Sequence, residues 1–276
     1  MENKKRFMLF FSVLPYFVLA GLLLSSRPGF AEDLKKIQDN SFLLEEAYNQ
    51  EDGVVQHIQV LQYMKQLKDW QSTFTQEWPA PKQAHQLSYT IPVTHLHEND
   101  ATGVGDILLN YRYQAIMKDK IALAPRLSFI LPTGDSNKGL GTDTVGYQVN
   151  IPLSVELADK FVTHWNLGAT YTPRAKDSTG EKSNIYGLNY GASMIYLATE
   201  NFNLVLEAAG TSTETAQING INTTESTFFI NPGVRFAINF KSGLQIVPGF
   251  SVPIGLGPSG GEYGGLFYLS FEHPLF

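Results

Sequence analysis

Residues 145–157 alternate strictly between apolar and polar positions. The apolar positions are Val145, Tyr147, Val149, Ile151, Leu153, Val155 and Leu157. A period of two places the two sets of side chains on opposite faces of a β-strand. The apolar face carries no charge, and the polar face would make a poor protein core. This inverted pattern predicts a membrane barrel, with the apolar face toward lipid and the polar face toward a lumen.

Similar runs recur along the chain and predict twelve strands. They lie near 54–65, 67–78, 84–95, 104–117, 119–133, 144–157, 159–173, 184–199, 201–212, 224–240, 243–254 and 264–276. Tight connections at 118–119, 158–159, 199–201 and 241–243 alternate with long ones at 96–103, 134–143, 174–183, 213–222 and 255–263. Short periplasmic turns and longer external loops alternate in this way in outer-membrane barrels, which have even strand numbers in bacteria. We therefore predict an all-β fold, a transmembrane antiparallel β-barrel of about 12 strands.

The first predicted strand, 54–65, is the weakest of the set. Gln56 and Gln62 fall on the same face as Ile58 and Val60, so its alternation is poor. The connection to the next strand is also short for an external loop. These two features leave the strand count open by two.

Residues 1–31 have the features of an export signal. Three basic residues, 4–6, precede the apolar run 7–24, and Gly29 to Ala31 supply the small residues that a signal peptidase reads. An uncleaved anchor is the alternative, because the run approaches the roughly 18 residues that a spanning helix needs. We expect cleavage, export and a final location in the Gram-negative outer membrane. The chain has no cysteine, which excludes disulfides and a lipid-modified cysteine.

Two further segments complete the predicted organisation. Residues 32–53 are acidic and alternate little, so they form either a periplasmic N-terminal extension or a plug inside the barrel. Residues 54–276 form the barrel itself. The chain finishes in an aromatic strand at Phe276, which resembles the signal read by the machinery that assembles outer-membrane barrels. We expect that machinery and outer-membrane lipid to be partners of the protein.

Charged residues of the predicted strands fall mostly on the inward face, where they avoid a cost of about 2–4 kcal/mol for a basic residue facing lipid at mid-membrane. The predicted lumen-lining residues are Glu77, Asp106, Arg112, Arg126, Glu156, His164, Glu207 and Arg235. Both signs are present, so these residues either pair and hold the barrel closed or line a narrow polar conduit. The net charge of −6 argues against a nucleic-acid partner.

Catalytic and metal-binding motifs are weak. The chain lacks the His-x-Ser pair of outer-membrane phospholipase, and a lumenal His164 is more often part of a polar filling than a catalyst. His95 and His97 lie at a strand end and are interpreted as exposed polar residues. The loop that begins at Asp135 lacks the acid required at the twelfth position of a calcium loop, which is Gly146. We predict no enzyme activity, no metal and no cofactor.

Five prolines lie inside the predicted strands, at Pro125, Pro152, Pro232, Pro248 and Pro253. Proline cannot donate a hydrogen bond to the ladder of a sheet, so it is unusual in a strand interior. These positions predict bulges or breaks in the barrel wall. Such breaks are candidate lateral exits for apolar solutes.

Two motifs resemble a known family of outer-membrane barrels, named for the meta pathway of phenol degradation. They read Gly103-x-Gly105-Asp106-x-x-Leu109-x-Tyr111-Arg112-Tyr113 and Pro125-x-Leu127-x-x-x-Leu131-Pro132-Thr133-Gly134-Asp135. The resemblance covers most of residues 84–276. It implies passage of small, apolar molecules across the outer membrane and supplies no catalytic residues.

The sequence therefore predicts an outer-membrane channel or transporter. Its expected partner is a small-molecule solute, apolar or aromatic, that passes through a narrow polar lumen. The alternative is a structural or surface-interaction barrel with a closed lumen. An outer-membrane enzyme is the least favoured class.

Overall fold

The structure is a computed structural model that describes residues 37, 40–177, 180–215 and 222–275. The signal peptide predicted for residues 1–31 and the chain end at Phe276 lie outside this part. The strands are β1 (Val54–Met64), β2 (Trp70–Pro79), β3 (His85–Leu96), β4 (Ala101–Val104), β5 (Ile107–Tyr113), β6 (Ile116–Lys118), β7 (Ile121–Leu123), β8 (Arg126–Leu131), β9 (Gly146–Ala158), β10 (Phe161–Lys176), β11 (Lys182–Thr199), β12 (Phe202–Thr215), β13 (Thr223–Phe236), β14 (Ile238–Asn239), β15 (Gln245–Ser251), β16 (Ile254–Gly255) and β17 (Gly264–Pro274). Two single 3₁₀ turns, Ser136–Lys138 and Gly257–Ser259, lie in loops.

These segments form one closed antiparallel sheet. β1 pairs with β17 in continuous register, from Val54 opposite Pro274 to Met64 opposite Gly264. Four of the barrel strands are interrupted and appear as β4–β6, β7–β8, β13–β14 and β15–β16. Counted as whole strands, the wall has the predicted twelve, and closure leaves no sheet edge exposed.

The strand prolines interrupt the wall at two places. Pro125 separates β7 from β8, and Pro253 separates β15 from β16, whereas the other three prolines lie within strands. The wall stays bonded at both breaks: Ala124 N–H donates to the Pro152 carbonyl at 3.2 Å, and Val252 N–H donates to the Pro232 carbonyl at 3.0 Å. Two of the five predicted positions therefore interrupt a strand, and backbone hydrogen bonds still bridge both interruptions.

The exposure of side chains follows the inverted pattern. On β10, Trp165 and Leu167 are 52% and 55% exposed, while Asn166 between them is 6% exposed. The outer surface is covered by large apolar side chains on nearly every strand, as a lipid-facing wall requires. Among the described residues, no helix has the length and hydropathy needed to cross a membrane.

The connections differ at the two ends of the barrel. Turns such as 119–120 and 159–160 are short at one end, which we call the periplasmic end, while the other end carries the 14-residue loop 132–145. We call that second end the external end, because longer loops face outside in outer-membrane barrels. β1 runs from the periplasmic to the external end, so residues 40–53 enter the barrel from the periplasmic end.

Candidate functional site: a filled lumen below an external vestibule

Residues 40–50, the lumenal segment, lie inside the barrel. Ten of these eleven residues are buried, and Tyr48 is half-buried. The segment has no regular secondary structure and belongs to no strand of the sheet. The sequence predicts either a periplasmic extension or a plug for residues 32–53, and the structure places residues 40–50 of this segment in the lumen.

The first part of the lumenal segment is apolar and packs against an apolar side of the wall. Phe42, Leu43 and Leu44 are 1–3% exposed and join one buried cluster with wall residues. The wall residues of this cluster include Ile58, Val60, Ile195, Val205, Phe229, Val247, Leu266 and Tyr268. The prediction of a polar lumen is therefore wrong for this side of the barrel. The poor alternation of the first strand arises because Ile58 and Val60 face this apolar part of the interior.

Glycines on the inner face make room for the apolar side chains. A Cβ atom on Gly249 would lie 2.8 Å from Phe42 Cε1, and one on Gly233 would also collide with the Phe42 ring. A Cβ on Gly191 would lie 2.7 Å from Leu44 Cδ2. Gly233 and Gly249 sit on adjacent strands, β13 and β15, and together form a notch that receives Phe42. The wall is thus shaped to the segment, since interiors are packed without spare volume.

The second part of the lumenal segment is polar and lies against the polar side of the wall. Glu45 forms a buried ion pair with Arg126, with Nη2 2.8 Å from Oε1. Arg126 Nε donates to Glu45 Oε2 at 2.9 Å, so the contact is bidentate. Asn150 Nδ2 donates to Glu45 Oε1 at 2.6 Å. Such bidentate pairing fixes the relative orientation of the two side chains and also adds binding energy.

Arg112 holds the end of the polar part through backbone and side-chain acceptors. Its Nε donates to Asn49 Oδ1 at 2.8 Å, and its two terminal nitrogens donate to the carbonyls of Glu46 and Tyr48. Gln114 also binds this end of the segment, because its Oε1 accepts a hydrogen bond from Asn49 N–H at 2.8 Å. The guanidinium therefore satisfies carbonyls that would otherwise be buried without a donor.

Glu207 performs the converse role at the apolar part of the segment. Its Oε1 accepts hydrogen bonds from Phe42 N–H and Leu43 N–H, both at 2.9 Å. Asn231 Nδ2 donates to Oε2 of the same carboxyl at 2.7 Å. Glu207 thus satisfies backbone donors of a segment that has no strand partner.

His164 lies below the polar part of the segment, bonded to Ser154. Ser154 Oγ is 2.7 Å from His164 Nδ1 and accepts from Ala47 N–H at 2.8 Å. Ser154 and His164 are 0% and 1% exposed. A serine–histidine pair in this state is closed to any substrate, and its visible role is to position the lumenal segment.

The eight residues predicted to line the lumen divide by position. Glu77, Arg112, Arg126, His164, Glu207 and Arg235 are at most 5% exposed and face the interior. Glu156 is half-buried beside a small cavity at the periplasmic end that His164 also lines. Arg112, Arg126, Glu207 and Arg235 each bond directly to the lumenal segment. These charged side chains therefore bind the lumenal segment, a role that neither of the two sequence interpretations included.

Asp106, the eighth residue, lies near the external end and fastens the long loop 132–145. Its Oδ1 accepts from Gly134 N–H at 2.9 Å. Its Oδ2 accepts from both the backbone N–H and the hydroxyl of Thr142, each at 2.9 Å. Thr133 Oγ1 donates to the Gly105 carbonyl at 2.8 Å. The two motifs that resemble the phenol-degradation family therefore meet in space and form a clamp for this loop.

The clamped loop covers part of a vestibule at the external end. The vestibule has a volume of ≈ 140 Å³. Its apolar lining includes Met64, Trp70, Pro92, Leu96, Leu108, Ile130, Leu140 and Ile185. Its charged lining residues are Asp69, Asp106 and Glu214, all acidic. The vestibule therefore combines a largely apolar lining with charges of one sign, which is negative.

The histidines of the external end do not combine into a metal site. His95 stacks on Trp70, with ring centroids 5.9 Å apart, and its Nδ1 lies 2.8 Å from Thr102 Oγ1. His97 contributes its backbone N–H to Asp69 Oδ1 at 2.7 Å. Within the described ranges, no group of three or more histidine or acidic side chains is placed to hold a metal ion.

Comparison with known proteins agrees with this architecture. Residues 68–253 match the model of the family described as "Putative MetA-pathway of phenol degradation". The chain belongs to this family. Among curated proteins, none matches.

Two solved structures share the fold. The COG4313 outer membrane channel from Pseudomonas putida F1 superposes with a TM-score of 0.59 at 14% identity, covering 82% of this chain and 97% of the other. The NanC porin superposes with a TM-score of 0.54 at 9% identity, covering 79% of this chain and 99% of the other. At these identities the likeness establishes the outer-membrane barrel fold of this family member.

Removing the Asp106 carboxylate should free the external loop. We expect Asp106→Ala to leave the N–H groups of Gly134 and Thr142, which are half-buried, without their acceptor, a loss of about 1 kcal/mol for each group. Trypsin cleavage after the exposed Lys138 should then accelerate by roughly tenfold or more, because cleavage follows the open population. Asp106→Asn, which keeps one acceptor oxygen, should give a smaller increase. Equal cleavage of all three proteins would contradict the role of Asp106 as a clamp.

Proposed function

We propose that this protein is an outer-membrane channel for small solutes in which the lumenal segment is the gate. The observation that carries this proposal is the position of residues 40–50, which are buried inside the barrel on the periplasmic side of the external vestibule. A solute that enters the vestibule reaches the periplasm only after this segment moves. Export by the N-terminal signal and insertion by the barrel assembly machinery through the C-terminal strand belong to the same proposal.

The contacts of the lumenal segment support a reversible gate. Its described bonds to the wall run largely to side chains, such as Ser154, Asn166 and Gln114, and not to the backbone ladder of the sheet. Releasing it would leave all wall strands paired. The connection through residues 51–53 to β1 tethers the segment at the periplasmic end. Displacement toward the periplasm therefore needs no unfolding of the barrel.

The lining of the vestibule favours small apolar or aromatic molecules as the transported solutes. Its lining is largely apolar with threonine hydroxyls, and its charges are acidic. A cavity lined by charges of one sign raises the local concentration of solutes of the opposite charge and excludes solutes of the same charge. We infer that neutral or cationic aromatic molecules enter more readily than anionic ones of the same size.

A closed structural barrel is the second candidate, and the same filled lumen favours it. If the lumenal segment never leaves, its ion pair and its notch serve only to stabilise the barrel. An enzyme is disfavoured because the buried Ser154–His164 pair offers no access to a substrate. One experiment separates the gate from the permanent plug.

A disulfide across the gate should stop transport. Ser41 Oγ lies 2.9 Å from Ser193 Oγ, and the chain has no other cysteine that could interfere. We expect Ser41→Cys combined with Ser193→Cys to form a disulfide that fixes the segment to β11, because the short side chains already meet. In liposomes, uptake of benzyltrimethylammonium should fall to the protein-free rate under oxidation and return on reduction.

Controls and outcomes separate the two candidates. Each single cysteine variant should transport equally under oxidising and reducing conditions. Uptake that persists through the oxidised double variant would show that solutes bypass the segment. Absence of uptake by the folded wild type and by the reduced variant would favour the closed barrel. Benzenesulfonate, an aromatic anion of similar size, should enter more slowly than benzyltrimethylammonium if the acidic vestibule selects by charge.

A further inference from the structure

The barrel is closed by a seam between its first and last strands, and two histidines face each other across it. His57 on β1 pairs with Phe271, while His273 on β17 pairs with Val55, so the histidines are diagonal neighbours. They are 216 residues apart in the chain. His57 is 7% exposed, and His273 is half-buried and open on one side.

The two imidazole rings meet through their nitrogen edges. His57 Nε2 and His273 Nε2 are 3.2 Å apart, while the ring centroids are 5.3 Å apart. Zinc binds imidazole nitrogen at about 2.0–2.1 Å with tetrahedral angles, which places two such nitrogens roughly 3.3–3.4 Å apart. The observed spacing therefore needs little adjustment to accept an ion between the rings.

The protonation of the His273 ring also suits metal binding. His273 Nδ1 lies 2.8 Å from the Pro274 carbonyl oxygen, which can only accept, so Nδ1 carries the hydrogen and Nε2 presents its lone pair. A backbone carbonyl on the far nitrogen is the usual support of a metal-bound histidine. His57 Nδ1 is buried without a hydrogen-bond partner among the described residues. The hydrogen between the two Nε2 atoms is therefore carried by His57, and a metal ion bound there would replace it while the His57 ring carries its hydrogen on Nδ1.

We propose that His57 and His273 form a two-histidine site for a divalent transition metal ion, with water completing the coordination. Imidazole pairs favour zinc, nickel and copper over calcium and magnesium. The site lies at the periplasmic end, where β1 begins and β17 ends. A metal bound there joins the two ends of the sheet and stabilises the closure of the barrel.

Titration with metal alone tests the site. Untagged, folded protein in detergent, stripped with a chelator and desalted, should bind one Zn²⁺ per chain in calorimetry. His273→Gln and His57→Gln should each weaken this binding by at least about tenfold, since even an outer partner of a ligand contributes that much. His95→Gln, which alters an exposed histidine at the opposite end, should bind as the wild type does.

The thermal stability of the barrel gives a second readout. Zn²⁺ should raise the temperature at which the folded electrophoretic band disappears in the wild type and in His95→Gln, and leave His273→Gln unchanged. If His57→Gln fails to fold, His273→Gln decides, because its side chain is partly exposed and its loss leaves the strand intact. Wild-type affinity for zinc in His273→Gln, or no zinc binding by the wild type, would overturn the proposal.

Discussion

Replacing Arg126 with methionine should expel the lumenal segment from the barrel. The change leaves the Glu45 carboxylate buried with Asn150 in place of a bidentate guanidinium. Removing one partner of a buried ion pair costs about 3–5 kcal/mol, because the remaining charge is uncompensated. The population with a released segment should rise by roughly two to three and a half orders of magnitude, at tenfold for each 1.4 kcal/mol. The rate of chymotrypsin cleavage at Phe42 to Tyr48, located by mass spectrometry, measures this population.

The double variant provides the matched control. Arg126→Met combined with Glu45→Leu removes both charges and fills the site with apolar groups, which is often nearly neutral for a buried pair. The segment should then be protected again, close to the wild-type level. A single Arg126→Met variant as resistant to chymotrypsin as the wild type would show that the ion pair does not hold the gate. In liposomes, the single variant should also take up benzyltrimethylammonium faster than the wild type.

Replacing Phe42 with alanine should release the other part of the lumenal segment. The ring is 1% exposed, sits in the notch of Gly233 and Gly249, and meets the edge of Tyr268 at a centroid distance of 6.1 Å. Truncating a buried phenylalanine to alanine costs about 3–5 kcal/mol through lost burial and the cavity left behind. Chymotrypsin cleavage at Leu43 and Leu44 should accelerate accordingly, while the folded barrel band persists.

A second substitution in the notch tests the fit directly. Gly249→Ala places a methyl group against Phe42, so it should release the segment in the wild-type background. In the Phe42→Ala background the same methyl group no longer meets the ring and keeps only a 3.2 Å approach to Arg235 Cβ, so it should cost less than in the wild type. Residues in contact show such non-additive effects, whereas separated residues do not. Additive effects of the two changes would mean that Gly249 does not shape the notch for Phe42.

The ion pair between Arg126 and Glu45 and the packing of Phe42 in the notch hold the same segment. The effects of removing these two contacts should therefore be coupled. Glu45 and Phe42 are held by opposite sides of the wall, Arg126 on β8 and Gly249 on β15. Once either contact is lost and the segment has left, removing the other has no further effect on exposure. The gate is consequently expected to open as a unit, and the cleavage rates of the two single variants should approach a common upper limit.

Several features of the fold were predictable because they depend on local patterning. The period of two along 145–157 places Asn150 inward and Ile151 outward, and the structure has them at 0% and 45% exposure. The alternation of tight and long connections gave the strand number, since it reflects the two ends of a barrel. These properties require only the pleat of a strand and the solvent on each side of it.

The lumenal segment was only half predictable. Its acidic residue Glu45 and the inward Arg126 were both visible in the sequence, but nothing local joined two positions 81 residues apart. The apolar residues Ile58 and Val60 on the inner face of the first strand were the clearest signal that something apolar occupies the lumen. For a barrel with a wholly polar interior, the same residues indicate only poor alternation.

The local patterning of the sequence is enough to predict a membrane barrel of about twelve strands with charges turned inward. What those charged side chains contact is visible only in the folded barrel. Arg112, Arg126 and Glu207 bind the lumenal segment, and Asp106 clamps an external loop through partners that lie 28 and 36 residues further along the chain. The reason is physical: the face of a side chain follows from a period of two along one strand, whereas its partner depends on closure of the barrel and on which segment fills the space inside.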